Sequence, residues 1–249
     1  MTEHFGNGWQ QILANNNLAN FDALWTLKSD WFEEPNIRRG GWSGVIKYPL
    51  ATPNSIIDVF IKRQENHITK TLLHPVNGIA TFQKEFRNIQ LLTNKNIPTL
   101  ELVYFGLRDK QAILISKSLE GYNSLDSDIF QNIAYQQKRA LLSKVAITTA
   151  NMHHWHFQHN GFYPKHIFVK PSGNEWDVRF IDLEQLKRTP LRKQAVIRDL
   201  YTLCRHAQDH WSTKDRLYFF KIYVNETKLS DKSKILWKLV EKKVLSKLK

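Results

Sequence analysis

Cysteine is almost missing from this chain: Cys204 is the only one in 249 residues. No internal disulfide can form, and a reducing compartment is the expected home. Without cysteine pairs there is no zinc-finger module, and no RNP-type aromatic strand motif stands in for one. No stretch approaches the roughly 18 to 20 apolar residues of a membrane-spanning helix. The opening segment, MTEHFGNGWQQILANNN, has neither the basic region nor the apolar run of a secretory signal. Internal repeats and low-complexity tracts are lacking as well. The expectation is a cytoplasmic globular protein.

Positive charge, by contrast, is plentiful. Lys and Arg total 36 against 23 Asp and Glu, a net of +13. Such a surface attracts nucleic acid, an anionic membrane face or a phosphorylated substrate. The missing nucleic-acid motifs disfavour the first of these. Hydrophobic residues at 42% and aromatics at 12% are enough for a substantial core. The length fits one large domain or two tightly packed lobes.

Periodicity gives the order of elements. NFDALWTLKSDWF reads as an amphipathic helix with Phe21, Leu24, Trp25, Leu27 and Trp31 on its apolar face, ended by EEPN because Pro35 disfavours helix before it. IRRGGWSGVIKYPL is a glycine turn between two strands, and IIDVFIKRQ is a strand alternating around Val59 and Ile61. FQKEFRNIQLL places Phe82, Phe86, Ile89 and Leu92 on one helical face. LELVYFGL and QAILIS are two further strands, and SLEGYNSL is a linker. Beyond it the chain turns helical: QQKRALLSKVAITTANMHHWHF carries Leu142, Val145, Thr149 and Met152 on one stripe. A hairpin, HIFVKPSGNEWDVRFIDLE, follows, and three helices begin near Lys193, Thr213 and Asp231. The predicted class is α+β with two lobes, a β-rich one over 1–116 with an N-terminal helical extension and a helical one over 117–249. Nucleotide sites favour clefts in such arrangements.

Several short pieces stand in the order of a protein kinase. GGWSGV could lay backbone N–H groups and the Ser43 hydroxyl over phosphates, with Gly41 and Gly44 beside it, although a Gly-Gly hairpin turn explains it equally well. Lys62 ends the apolar strand VFIK, the pattern whose Lys pairs nucleotide phosphates, and Glu85 on the next helix suits the ion pair that orients such a Lys. FIDLE stands in the place of D-F-G, so that Asp182 would hold Mg²⁺ through a hard carboxylate oxygen. HNGFYPKHIFV has the outline of the catalytic loop H-R-D-x-x-x-x-N. His159 stands first, Gly161 replaces the catalytic Asp, and His166 replaces the metal-binding Asn.

With FDALW, WFEEPN, RRGGWSGV, KEF, FYPKHIFV, FIDLE and IRDLYTL, the chain resembles the lipopolysaccharide kinase family (the Kdo kinase, WaaP and InaA-like group) over nearly its whole length. The resemblance implies a bilobal protein-kinase-like fold, ATP and Mg²⁺ as cofactors, and a sugar of the lipopolysaccharide inner core as acceptor, at the cytoplasmic face of the inner membrane. It also implies that Asp199 in IRDL braces the catalytic loop, and that His at 166 is ordinary for the family. A neutral imidazole is a poorer Mg²⁺ ligand than a carbonyl oxygen, so Asp182 is expected to dominate the metal site and His166 to act partly through hydrogen bonds. Gly161 is the departure. It leaves two readings open: a sugar kinase, or a nucleotide-binding pseudokinase serving as regulator or scaffold.

Three further groups bear on that choice. His159 could accept a proton near neutral pH or simply brace the loop, and Lys165 and Tyr163 could orient a phosphate or hydroxyl. His153, His154, His156 and His159 crowd one helix end, without the Cys or paired carboxylates that complete a tetrahedral metal site. Residues 232–249 hold seven lysines and one acid, with Ile235, Leu236, Leu239, Val240 and Val244 able to share one helical side. That pattern suits peripheral contact with an anionic membrane or lipopolysaccharide, or a helix docked on its own domain.

Overall fold

Val59, Ile61 and Arg63 face one way along the strand Ile56–Glu65, and Phe60, Lys62 and Gln64 face the other. The first part of the fold is organised around the two faces of that strand. The computed structural model describes residues 1–38, 40–70, 74–130, 133–173 and 175–246. The chain divides into two units, Met1–Gln90 with Leu100–Glu120 and Leu91–Thr99 with Gly121–Lys249.

The first unit runs β1 (Thr2–Phe5), α1 (Trp9–Asn15), α2 (Phe21–Thr26), β2 (Glu33–Arg38), β3 (Gly41–Ala51), β4 (Ile56–Glu65), β5 (Ile68–Thr69), β6 (Ile79–Ala80), α3 (Thr81–Thr93), β7 (Leu102–Arg108) and β8 (Gln111–Lys117). Six of the strands form one antiparallel sheet in the order β1-β7-β8-β4-β3-β2. One face buries Ile46, Val59, Ile61, Val103, Ile113 and Ile115 against Trp9, Leu13, Phe21 and Leu24 of α1 and α2. On the other face Phe86 of α3 stacks on Phe105 at 4.2 Å.

Two expectations for this unit need correcting. The helix through NFDALWTLKSDWF stops at Thr26, because the buried Arg63 guanidinium takes the carbonyls of Trp25 and Leu27 at 2.5 and 3.1 Å. Helix-end carbonyls lack intrahelical donors, and a buried cation supplies them. EEPN is not a helix stop but the start of β2, where Pro35 sits on an edge strand within a register shift between Glu33 and Asn36.

The second unit holds β9 (Asn123–Ser124), α4 (Tyr135–His154), β10 (Phe157–Gln158), β11 (Ile167–Ser172), β12 (Glu175–Phe180), β13 (Lys187–Arg188), α5 (Arg192–His206), α6 (Thr213–Val224) and α7 (Asp231–Leu245). The expected α4 stripe, Leu142, Val145, Thr149 and Met152, is fully buried. Helix α6 begins at a capping box, with the Ser212 hydroxyl and the Asp215 carboxylate exchanging backbone N–H bonds. Ser230 caps α7, its hydroxyl accepting from Ser233 N–H. The β11–β12 register pairs Ile167 with Phe180, which sets His166 opposite Ile181 and next to Asp182. Fifteen intervening residues are thus folded out of the way by one hairpin.

Helix α7 uses most of its apolar side internally. Val240 and Val244 are buried and Trp237 packs on Phe220 of α6 at 4.8 Å, while Ile235 stays 59% exposed. Residues 247–249 of the expected basic terminus lie outside the described residues.

Candidate active site

Lys62 and Gln64 share the face of β4 that looks toward α3. The Gln64 carbonyl oxygen accepts the Phe82 N–H at 2.7 Å and so pins the first turn of α3 to the strand. One turn further along, Glu85 comes over Lys62, whose Nζ donates to both carboxylate oxygens at 2.7 and 3.0 Å. The Glu85 side chain is 2% exposed and Lys62 is 22% exposed, so the pair is partly screened but firmly desolvated on the acid side.

Gly41, Ser43 and Gly44 lie within β3, paired to β2 on one side and to β4 on the other. They stand in a ladder rather than in an open loop. The bend itself is at Gly40, with φ of 75°, and Arg39 beside it lies outside the described residues. Gly44 is glycine for a packing reason: a Cβ there would come within 2.7 Å of the Trp31 ring.

In the second unit the loop after β10 is hung on one buried carboxylate. Asp199 of α5 accepts the backbone N–H of His159 at 2.6 Å and of Asn160 at 3.0 Å, and it accepts from Nε2 of His153 at 3.1 Å. Nδ1 of His153 in turn meets the Tyr223 hydroxyl at 2.9 Å. The brace expected of Asp199 is present, and His153 and Tyr223 support it from behind, a relay that no local sequence pattern marks. Asn160 takes the left-handed conformation, φ 66°, and donates through Nδ2 to the Gln185 carbonyl.

His159 is fully buried, and its Nε2 meets the Ile181 carbonyl at 3.0 Å. A carbonyl can only accept, so Nε2 carries the proton and Nδ1 bears the lone pair. That Nδ1 is buried without a partner. Burial pushes the imidazole below its ordinary value, against the opposing field of Asp199, which keeps it neutral. His159 therefore braces the backbone just ahead of Asp182. Its Nδ1 lies 3.7 Å from the point a Cβ on Gly161 would occupy, as does Nδ1 of His166, with Asp182 Oδ2 at 3.9 Å. Gly161 is not in the left-handed region, so neither space nor backbone demands glycine there.

His166 and Asp182 converge, Nε2 to Oδ2 at 3.3 Å, with Asp182 held in the left-handed conformation at φ 57°. Lys165 is exposed beside them, 5.9 Å from the Tyr163 ring. The other histidines of the helix end go separate ways: His156 Nδ1 meets the Thr189 carbonyl, and His154 is exposed. Among the described residues no three His, Cys, Asp or Glu side chains converge on a metal position.

A strand lysine bound to a helix glutamate, and an acid after a hairpin beside a loop braced from α5, follow one another along the chain in the order expected from the sequence. The profile of the lipopolysaccharide kinase (Kdo/WaaP) family matches residues 22–223. The chain belongs to that family. It is 28% identical over 197 residues to protein InaA of Escherichia coli (strain K12), covering 76% of this chain and 88% of InaA. Among solved structures it is similar to WaaP in complex with acyl carrier protein, with a TM-score of 0.70 and 20% identity over 99% of each chain. An aminoglycoside-3'-phosphotransferase of type VIII superposes at a TM-score of 0.54 with 14% identity, covering 89% of this chain and 98% of its own. At those identities the structures establish the protein-kinase-like fold. No helix of the described residues is long and apolar enough to cross a membrane.

Proposed function

We propose that this family member is an ATP- and divalent-metal-dependent kinase that phosphorylates a hydroxyl of a lipopolysaccharide inner-core sugar. The Lys62–Glu85 pair is the observation that carries the reading. A buried carboxylate fixes an ammonium on a strand, the arrangement that presents a cation to nucleotide phosphates. Asp182 and His166 offer an oxygen and a nitrogen donor side by side, a set that fits a divalent cation. When bound, ATP and its cation supply the transferable phosphoryl group and neutralise the charge that develops on it.

The chain's own residues do the positioning. Lys62 holds phosphate oxygens, Asp182 holds the metal with His166, and Asp199, through the His159 and Asn160 amides, keeps the loop in register. The exposure of Lys165 beside Tyr163 supports a role for it in meeting an anionic acceptor. Phosphoryl transfer depends mainly on positioning and charge, and general-base help is worth about 10² to 10⁴ in rate. Loss of the Asp at 161 therefore slows turnover without removing the machinery. Metal-dependent ATP binding, measured by calorimetry and weakened at least tenfold in Lys62→Met, is the expected result; unchanged binding would contradict the role given to Lys62.

Gly161 itself favours a second reading, in which the protein binds nucleotide and serves as a regulator or scaffold. ATP binding without transfer to any core sugar is its signature.

A further inference from the structure

We infer that the metal position at Asp182 is built for a first-row transition ion such as Mn²⁺ in preference to Mg²⁺, with Nε2 of His166 as a direct ligand, a preference that rests on the metal-dependent phosphotransfer proposed above. Nδ1 of His166 lies 2.8 Å from the Gly161 carbonyl oxygen. A carbonyl only accepts, so Nδ1 carries the proton and Nε2 is left with its lone pair. That lone pair faces Oδ2 of Asp182, also an acceptor, at 3.3 Å. Two acceptors facing each other at this distance repel, and a cation between them, either an added proton or a metal ion, relieves that repulsion.

The 3.3 Å spacing would suit two ligands of one ion. Donors bound at about 2.1 Å stand roughly 3.0 Å apart at a right angle and roughly 3.4 Å apart at the tetrahedral angle. A second feature points the same way. Metal-ligating histidines characteristically give their other ring N–H to a carbonyl or carboxylate, which fixes the tautomer and raises the basicity of the ligating nitrogen. The Gly161 carbonyl does this for His166, so the residue standing where the catalytic Asp is missing sets the tautomer of the metal ligand. The ring is held edge-on by Tyr163 at 5.6 Å and lies nearly parallel to His159 at 6.3 Å. The His166 side chain is 14% exposed and Asp182 39%, so the ring is largely walled in while the carboxylate is the more open of the two.

An oxygen-only pair suits Mg²⁺, whereas an imidazole nitrogen shifts selectivity toward transition ions. Mn²⁺ stands at the weak end of the first-row order, so a preference seen with Mn²⁺ is the least favourable case.

The test is pulsed electron paramagnetic resonance of Mn²⁺ bound to the full chain with a non-hydrolysable ATP analogue. The expected result is a ligand-nitrogen signal that changes when the histidines are ¹⁵N-labelled and disappears in His166→Asn. Competition should show Mn²⁺ preferred over Mg²⁺ at least tenfold by the parent, falling several-fold in His166→Asn. The labelling arm needs no variant, so it stands even where His166→Asn does not fold. Bound Mn²⁺ with no histidine nitrogen, or parity with Mg²⁺, overturns the inference and leaves a proton between His166 and Asp182. Nucleotide binding with Mg²⁺ that is lost in Lys62→Met would then still uphold the phosphate-binding role given to Lys62, on which the proposed function rests. No metal-dependent nucleotide binding at all overturns both.

Discussion

The Asp199 carboxylate holds the backbone of His159: its Oδ2 accepts that N–H at 2.6 Å, while Oδ1 takes the next amide at 3.0 Å. Both oxygens are fully buried. Asp199→Ala leaves two amides and the His153 N–H without an acceptor, and each unsatisfied buried donor costs about 1–3 kcal/mol. Chemical denaturation should show a loss of at least about 3 kcal/mol. A loss under about 1 kcal/mol would mean that the loop has another support.

Lys62 and Glu85 give a coupled pair of variants. Lys62→Met strands a carboxylate that is 2% exposed, and it should cost about 2 kcal/mol after allowing for the partial exposure of Lys62. Adding Glu85→Gln should recover part of that loss. A double-mutant cycle with no coupling would show that the pair does not act as a unit.

The sequence carried the Lys62–Glu85 pair and the Asp182 loop unequally. Strand β4 and helix α3 were readable because alternation at Val59 and Ile61 and the Phe82–Leu92 stripe survive in the fold, and they place Lys62 and Glu85 correctly in register. The starts of α5, α6 and α7 were readable too, near Lys193, Thr213 and Asp231, and the structure adds the Ser212 and Ser230 caps at the last two. What failed was decided by distant groups. Arg63 ends α2 from 36 residues or more away, and Trp31 lying on Gly44 explains a glycine that local pattern left between phosphate binding and a hairpin turn. Strand β1, at four residues, and helix α1, at seven, were too short to show periodicity. The tautomer of His166 depends on a carbonyl orientation, which no residue pattern encodes.

His159 makes stability depend on pH. Burial holds its folded value below the ordinary ~6.5 of an imidazole, so the unfolded chain binds the proton more readily. Stability is therefore full above pH ~6.5 and falls as the pH drops below it, by at most about 1.4 kcal/mol per unit. His206, also shifted downward by burial, adds in the same direction. His159→Gln should flatten the slope between about pH 6.5 and 5. An unchanged slope would assign the dependence to other groups.

Gly161 can be refilled. A Cβ there meets nothing nearer than 3.7 Å, so Gly161→Ala should fold within about 1 kcal/mol of the parent. Gly161→Asp restores the acid of a kinase loop and should raise transfer at least tenfold, part of the 10² to 10⁴ that a general base supplies. A folded Gly161→Asp protein that binds ATP and transfers nothing would favour the pseudokinase reading.

Helix α7 tests the anionic-surface expectation. Its apolar side is largely committed to α5 and α6, which leaves exposed lysines, Lys232, Lys234, Lys238 and Lys242, as the means of attraction. Co-sedimentation with anionic vesicles should be abolished by high salt and weakened by changing these four to Gln. Binding that ignores salt would require an apolar insertion that the packing of Val240 and Val244 does not provide.

The most direct measurement of the central claim is transfer of labelled phosphate from ATP to purified lipopolysaccharide cores, with Asp182→Ala as the control. Slow, metal-dependent incorporation into a core sugar by the parent, lost in Asp182→Ala, is the predicted result. No incorporation above the Asp182→Ala background, by a protein that binds ATP, would contradict it.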